Sequence, residues 1–112
     1  MSRSMREYLQ HILDETDYLS MQSRTITKEK FLTDGTLKRA FVRSIEIIGE
    51  AARSVPDDVR ARAPSVPWAQ IVGTRHILAH AYGRVDPAIL WALVDQGLAK
   101  LEADLAPLLL TP

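Results

Sequence analysis

Apolar residues recur every three to four positions along most of the chain, which is the spacing of an amphipathic helix. The first such segment spans about residues 4–21, and the second spans about residues 34–55. A third segment covers about residues 67–82, and a fourth follows Asp86 to the end. Signals for strands and hairpins are almost absent. The pattern predicts an all-α fold, an antiparallel four- to five-helix up-and-down bundle in a single domain over residues 1–112.

Capping residues and prolines predict where these helices begin and end. Thr27 is placed to cap a short helix through about residue 31, inside the polar stretch before the second long helix. Pro56 ends that second helix or begins a short one over residues 57–61. Pro67 suits the first position of the third helix, which Gly83 can end, and Asp86 with the following proline repeats the start signal.

Glycine and tryptophan positions indicate how the helices meet. Gly49 and Gly73 each cost about 1 kcal/mol inside a helix relative to alanine, so we expect two backbones to approach closely there. Trp68 and Trp91 each lie near the start of a helix and are expected to cover the end of the bundle. The apolar tail LAPLLL is expected either to pack back on the bundle or to join a dimer interface.

Composition narrows the class of protein without identifying it. The 112 residues include 46% hydrophobic and 25% charged residues, with fourteen basic residues balanced by fourteen acidic ones. Such a balance excludes a general basic coat for nucleic acid or membranes. The chain has no cysteine, so disulfides, cysteine zinc sites and thiol nucleophiles are excluded. Because the N-terminus also has no apolar signal segment, a cytoplasmic location is expected.

Charge is nevertheless distributed unevenly along the chain. Residues 24–43 contain six basic and two acidic residues, a net charge of +4. Residues 85–112 contain one basic and four acidic residues, a net charge of −3. The basic segment could attract a polyanion, or it could be an ordinary solvated helix face.

Most of the candidate chemistry lies in residues 74–84, with the sequence TRHILAHAYGR. His76 and His80 are four residues apart and share a helix face, as do Arg75 and Tyr82 within about 20°. Arg75 and His80 are about 140° apart on a regular helix. They could converge if the helix ends near His80, if the long arginine side chain reaches round the helix, or across a dimer.

These residue types suit a phosphodiester substrate. Histidine can transfer a proton near neutral pH. Arginine offers a planar, permanently charged group that matches phosphate oxygens, and tyrosine supplies a hydroxyl and a stacking surface. We therefore consider a reaction in which histidine deprotonates a 2′-hydroxyl and arginine stabilises the charge that develops on the phosphorus centre. That reaction needs no metal and no cofactor.

Two other interpretations of the same residues remain open. His76 and His80 have the spacing of a helical metal-binding pair, although the remaining histidine, His11, is distant and no acidic residue completes a local set. Alternatively, the two histidines are cations near the end of a helix, where the helix dipole favours positive charge.

The arrangement Arg75-x4-His80-x-Tyr82 resembles the R-x4-H-x-Y signature of the HepT-like toxins, a branch of the HEPN superfamily. The resemblance covers nearly the whole chain, because other blocks occur in the order found in that family. These blocks are FLTD (31–34), IEIIGEAA (45–52), VPWAQIVG (66–73) and GRVD (83–86) with Trp91.

The resemblance implies a HEPN fold, usually a homodimer with the motif at the cleft between subunits. It implies the toxin of a type VII toxin–antitoxin system, a metal-independent endoribonuclease in which Arg75 and His80 are catalytic. It further implies a partner, a MntA-like nucleotidyltransferase antitoxin. Tyr82 would then bind RNA and be the hydroxyl that this partner AMPylates, which would block the phosphate site and repel RNA.

The chain departs from the family pattern beside the motif arginine. His76 stands where a polar Asn or Asp is common, and Thr74 stands where many relatives have Met. His76 could serve as a substrate-binding group, supply a second proton-transfer group, or accompany altered activity. Arg43 and Glu46 on the second long helix are further candidates for the same cleft.

A second class of function fits the same residues. The bundle could be a non-catalytic module that binds a nucleotide or RNA, or a structural partner of a nucleotidyltransferase. That hypothesis predicts complex formation without turnover, and it predicts that Arg75→Ala weakens binding rather than lowering a rate.

Overall fold

A computed structural model describes residues 1–81 and 86–110, except for the side chains of residues 75–81 and of Gln96. The described chain is helical and contains no strand, which confirms the all-α prediction. No helix in these ranges is both long and apolar enough to cross a membrane. The helices are α1 (Arg3–Thr25), α2 (Lys28–Thr33), α3 (Gly35–Arg53), α4 (Asp57–Arg60), α5 (Trp68–Ala81) and α6 (Pro87–Leu110).

Side-chain caps fix the starts of four helices. The Ser2 hydroxyl accepts from the Met5 N–H at 3.1 Å and begins α1. Two of the other three caps are residues that the sequence indicated. The Thr27 hydroxyl accepts a hydrogen bond from the Lys30 N–H at 3.1 Å and begins α2. The Asp86 carboxylate accepts from the Ala88 N–H at 2.9 Å and begins α6. Asp34 does the same for α3, accepting from the Leu37 N–H at 3.0 Å. These bonds satisfy backbone donors that the first helical turn leaves unpaired.

The Asp34 cap gives the fold a predictable response to acid. The hydrogen bond from the Leu37 N–H lowers the pKa of Asp34, and nearby Lys30 lowers this pKa further, although partial desolvation opposes both effects. A depressed folded-state pKa adds stability above the unfolded-state value of about 4 and loses it as pH falls through the folded value. At pH values below 4, we expect the melting temperature of the wild type to fall more than that of Asp34→Asn. The asparagine keeps a cap but carries no charge. A difference in melting temperature that stays constant from pH 7 to pH 2 would contradict this.

The core lies between helices that pack side by side in the order α5, α3, α1, α6, and α2 packs on α3 and α6. Phe31 of α2 is fully buried there, with its ring centroid 4.7 Å from that of Phe41 and 5.4 Å from that of Trp91. This aromatic cluster joins α2, α3 and α6. A six-residue helix would be unstable alone, and the cluster is what holds α2 in place.

Polar contacts join neighbouring helices and show how two of them run. The buried Ser44 hydroxyl of α3 donates to the Glu15 carboxylate of α1 at 2.7 Å. The Arg6 guanidinium, near the start of α1, donates to the Leu109 carbonyl at the end of α6 at 2.9 Å. Because α1 starts where α6 ends, these two helices are antiparallel, as the up-and-down bundle requires.

The prediction of close backbone approach at Gly73 is wrong. A Cβ built at Gly73 meets no atom of another element within 4 Å among the described residues, so open space lies beside this position. Gly49 is buried in α3, and close backbone approach at that position stays a prediction.

The tryptophans and the apolar tail lie in the core. Trp91 packs in the aromatic cluster, and the Trp68 indole N–H donates to the Ala63 carbonyl at 3.1 Å in the connection before α5. The tail continues α6, with Leu105 and Leu108 buried and Leu110 exposed at the helix end. The alternative in which the tail packs back on the bundle is thus confirmed.

One side of the bundle is open. α5 packs on α3 and α6 packs on α1, but α5 and α6 share no comparable packing within the described ranges. Both helices are rich in apolar residues on more than one face, and Ile89 and Leu93 of α6 are among the exposed large hydrophobic residues. Helices that are apolar on several sides usually bury more than one face. The open side therefore exposes surface that would be more stable if covered.

Candidate functional site

The start of α5, the helix that carries the candidate motif, is held against the end of α3. The Arg60 guanidinium of α4 donates to the Val55 carbonyl at 2.8 Å and to the Ala52 carbonyl at 3.0 Å. The same guanidinium lies 5.7 Å from the centroid of the Trp68 ring. Arg60 therefore satisfies the carbonyl groups at the end of α3 and stacks on the first residue of α5.

From this fixed start, α5 runs back along α3. Its 14 residues span about 21 Å, so its second half lies beside the first half of α3. Thr74, which directly precedes the motif arginine, borders the same groove as Ile45 of α3. The backbone of residues 75–81 therefore lies beside residues 38–45 of α3.

The backbone positions of Arg75, His76 and His80 lie on the second half of α5. Their side chains are outside the described ones, and Tyr82, Gly83 and Arg84 lie outside the described residues. The structure therefore brings two of the three motif positions, Arg75 and His80, onto one continuous helix together with His76. Their roles remain those that the resemblance implies.

Arg43 and Glu46 lie on the exposed side of α3. The Arg43 guanidinium and the Glu46 carboxylate form an ion pair at 3.5 Å, and their side chains are 64% and 27% exposed. An exposed pair of this length contributes little stability. Both side chains are accessible and lie near the motif helix, which is compatible with a place in the cleft. Their assignment to the cleft stays a prediction.

A groove of about 410 Å³ occupies the open side between α3, α5 and α6. Its walls are mainly apolar, with Ile48, Ile71, Leu98 and Leu101 among them. At one end, the Lys100 ammonium donates to the Asp104 carboxylate at 2.9 Å, and this hydrogen bond lowers the pKa of Asp104. The walls suit apolar side chains better than a phosphodiester.

A smaller cleft of about 300 Å³ lies between α1 and α3. Its polar lining is Tyr8, His11, Glu50 and Ser54. In the sequence, His11 is a third histidine distant from His76 and His80, and its spacing gives no link to α3. Only the antiparallel packing of α1 and α3 brings these four residues together.

Metal binding finds no support among the described side chains. Within them, no group of three or more His, Cys, Asp or Glu residues is placed to hold a metal ion. That statement does not extend to the His76 and His80 pair, whose side chains are outside the description.

Comparison with protein families gives a match over almost the entire chain. The family model described as "Ribonuclease HepT-like" matches residues 5–108. The chain belongs to the HepT-like ribonuclease family. This confirms the resemblance inferred from the motif and its flanking blocks.

Individual HepT-like relatives align over nearly their full lengths. A Caldanaerobacter subterraneus subsp. tengcongensis protein named "Putative RNase TTE0752" is 39% identical over 107 residues, 96% of each chain. A Thermococcus cleftensis protein named "Probable ribonuclease HepT" is 35% identical over 102 residues, covering 91% of this chain and 93% of its own. A Methanocaldococcus jannaschii protein named "Putative RNase MJ1380" is 32% identical over 102 residues, covering 91% of this chain and 94% of its own. No solved structure gives a significant match.

Proposed function

We propose that this HepT-like chain is a metal-independent endoribonuclease and the toxin of a type VII HEPN/MNT toxin–antitoxin system. The observation that carries the proposal is the complete Arg75-x4-His80-x-Tyr82 set inside a family match over residues 5–108. The names of the relatives support ribonuclease activity, and the motif supplies residues suited to that chemistry.

The proposed reaction uses the 2′-hydroxyl of the RNA as the nucleophile. His80 accepts the proton of this hydroxyl as the new P–O bond forms and the bond to the 5′-oxygen of the next nucleotide breaks. Arg75 stabilises the negative charge on the phosphate oxygens, and a proton donor such as His76 or water protonates the leaving oxygen. The products carry a 2′,3′-cyclic phosphate and a 5′-hydroxyl.

We further propose that the active form is a homodimer that covers the open side of the bundle. The apolar groove and the exposed Ile89 and Leu93 lie on this side, next to the helix that carries the motif. A second copy placed there would bury apolar surface and bring its own motif helix close to that of the first. The arrangement supports a cleft shared between subunits.

Introducing a charge on the open side is expected to break this dimer. We expect Leu93→Glu to remain helical but to elute as a 12.6 kDa monomer, with most of its RNA cleavage lost. Met21→Glu is the matched control, because Met21 is an exposed hydrophobic residue on α1 and should leave the dimer intact. Light scattering at micromolar concentration measures the mass. A wild-type protein that is already monomeric and fully active would contradict the shared cleft.

The partner is proposed to be a MntA-like nucleotidyltransferase antitoxin that AMPylates Tyr82. An AMP group on this hydroxyl would place a phosphate beside Arg75 and occupy the site that the RNA phosphate needs. Co-expression with the nucleotidyltransferase should therefore add one AMP to the intact mass of the wild type and abolish its RNA cleavage.

Tyr82→Phe is the control for this modification, because it removes only the hydroxyl. It should gain no AMP, and its cleavage rate should be the same with and without the antitoxin.

An unmodified wild-type protein that binds RNA and the nucleotidyltransferase but never cleaves RNA would instead identify the non-catalytic alternative. Loss of cleavage in EDTA with recovery on adding zinc would favour the metal-pair interpretation of His76 and His80.

A further inference from the structure

We propose that single-stranded RNA lies across the basic end of the molecule, where Lys28, Arg39 and Arg43 bind its phosphate backbone. The basic end is defined as the last turn of α1, α2 and the first half of α3, residues 24–43. This inference rests on the proposed function and adds the path by which the substrate reaches the motif helix.

Helix directions place the basic end next to the end of α5. α1 and α3 are antiparallel neighbours, so the end of α1, all of α2 and the start of α3 lie together. α5 starts beside the end of α3, where Arg60 contacts both, and runs back toward the first half of α3. In a molecule 44 Å long, the segment with a net charge of +4 and the motif helix therefore share one end.

Two of the six basic residues at this end contact the turn between α2 and α3. The Lys38 ammonium donates to the Leu32 carbonyl at 3.1 Å and ties α3 to α2. The Lys30 ammonium pairs with the Asp34 carboxylate at 3.5 Å, beside the cap of α3. These two contacts stabilise the α2–α3 turn, and we do not assign them to RNA.

The remaining four basic side chains are exposed and weakly engaged. Arg24 and Lys28 have no acidic partner within the part of the chain that the structure describes. Among the described residues, Arg39 donates to the Gly35 carbonyl of its own helix, at 3.3 Å. Arg43 makes an exposed 3.5 Å contact with Glu46. Exchanging such contacts for phosphate oxygens sacrifices little stability, and a charge-assisted arginine–phosphate bond is stronger.

The spacing on α3 suits a polyanion that follows the helix. Arg39 and Arg43 are one turn apart on the same exposed side, about 6 Å along the axis. Farther along the same side, Glu46 and Glu50 replace the basic residues and would repel phosphate. The change from basic to acidic side chains confines the RNA backbone to the first half of α3. This half of α3 lies beside the motif helix.

The salt dependence of binding tests this assignment directly. Each cation that contacts a phosphate of a single strand adds about 0.7 to the slope of log affinity against log salt, through release of counterions. Removing two such cations in Arg39→Gln/Arg43→Gln should lower this slope by about 1.4. Affinity should then be about 25-fold weaker at 0.1 M salt and approach that of the wild type near 1 M. The probe is a fluorescent 2′-O-methyl oligonucleotide, which lacks the nucleophilic hydroxyl and is not consumed.

Two further variants separate phosphate binding from general effects of charge and folding. Arg3→Gln/Arg62→Gln removes the same charge from exposed residues at the opposite end and should keep the wild-type slope. Arg39→Lys/Arg43→Lys keeps two positive charges and should also retain the slope. The inference is overturned if Arg39→Gln/Arg43→Gln keeps the wild-type slope, or if the control pair lowers the slope equally.

Failure of this inference can be told apart from failure of the proposed function. RNA cleavage by the wild type in EDTA, measured on unmodified RNA, reports the function alone. Cleavage with an unchanged slope in Arg39→Gln/Arg43→Gln overturns the RNA path and leaves the ribonuclease in place. A slope lowered by about 1.4 without any wild-type cleavage supports the RNA path and contradicts the ribonuclease.

Discussion

Replacing His80 by alanine is expected to lower RNA cleavage in EDTA by about 10²- to 10⁴-fold, the usual contribution of a general acid or base. The variant lacks the imidazole proposed to accept the 2′-hydroxyl proton, while the proposed phosphate ligand Arg75 is unchanged. Binding of a 2′-O-methyl oligonucleotide should therefore change much less than the rate. Initial rates on a labelled RNA, with protein prepared identically, give the comparison.

His11→Ala is the matched control for this loss. His11 is exposed on α1 and lines the polar cleft between α1 and α3. Its replacement also removes one imidazole but should leave the cleavage rate unchanged. Equal rates for the wild type and His80→Ala would remove His80 from the proposed chemistry.

Replacing Phe31 by alanine is expected to destabilise the fold by about 3–5 kcal/mol, the usual cost for a buried phenylalanine. Phe31 is fully buried and contacts the rings of Phe41 and Trp91, so the substitution opens a cavity where α2, α3 and α6 meet. A loss of this size is a large part of the stability of a small domain. The melting temperature should fall by at least about 12 °C.

Leu110→Ala is the control for loss of an apolar side chain. Leu110 is 85% exposed at the end of α6, and surface substitutions usually change stability by less than about 0.5 kcal/mol. Urea unfolding followed by circular dichroism measures both variants. A free energy of unfolding for Phe31→Ala within 1 kcal/mol of the wild-type value would show that the aromatic cluster does not hold α2.

Helix positions could be predicted because local chemistry determines them. The hydroxyl of Thr27 and the carboxylate of Asp86 cap their own helices within three residues, so their sequence signals needed no tertiary information. The first helix extends beyond the prediction, to Thr25, through a polar turn in which the Thr25 hydroxyl donates to the Gln22 carbonyl at 3.1 Å. An apolar periodicity cannot mark a turn that lacks apolar residues.

Contacts between helices were harder to predict from the sequence than the helices themselves. The Glu15–Ser44 contact joins residues 29 positions apart and depends on the register of two helices, which no local pattern specifies. The open side between α5 and α6 likewise depends on how the helices are arranged around the core, which their periodicity does not specify. Gly73 was interpreted as a point of close approach, yet open space lies beside it.

The candidate site came from a motif rather than from periodicity. Arg75, His80 and Tyr82 were singled out for their chemistry and for their resemblance to a family signature. Helix geometry alone left Arg75 and His80 on different faces and allowed several ways for them to meet. The basic end was visible as a charge imbalance, but its position beside the motif helix required the antiparallel packing of α3 and α5.

Cleavage of RNA through its 2′-hydroxyl, without a metal, is the activity that we propose for this HepT-like protein. The most direct test uses purified wild-type protein whose intact mass shows that it carries no AMP. This protein is incubated in EDTA with an oligonucleotide of one sequence, prepared once as RNA and once in the 2′-O-methyl form. We expect that only the RNA is cut and that its fragments end in a 2′,3′-cyclic phosphate. An intact RNA, or cleavage of the 2′-O-methyl strand as well, would contradict the claim.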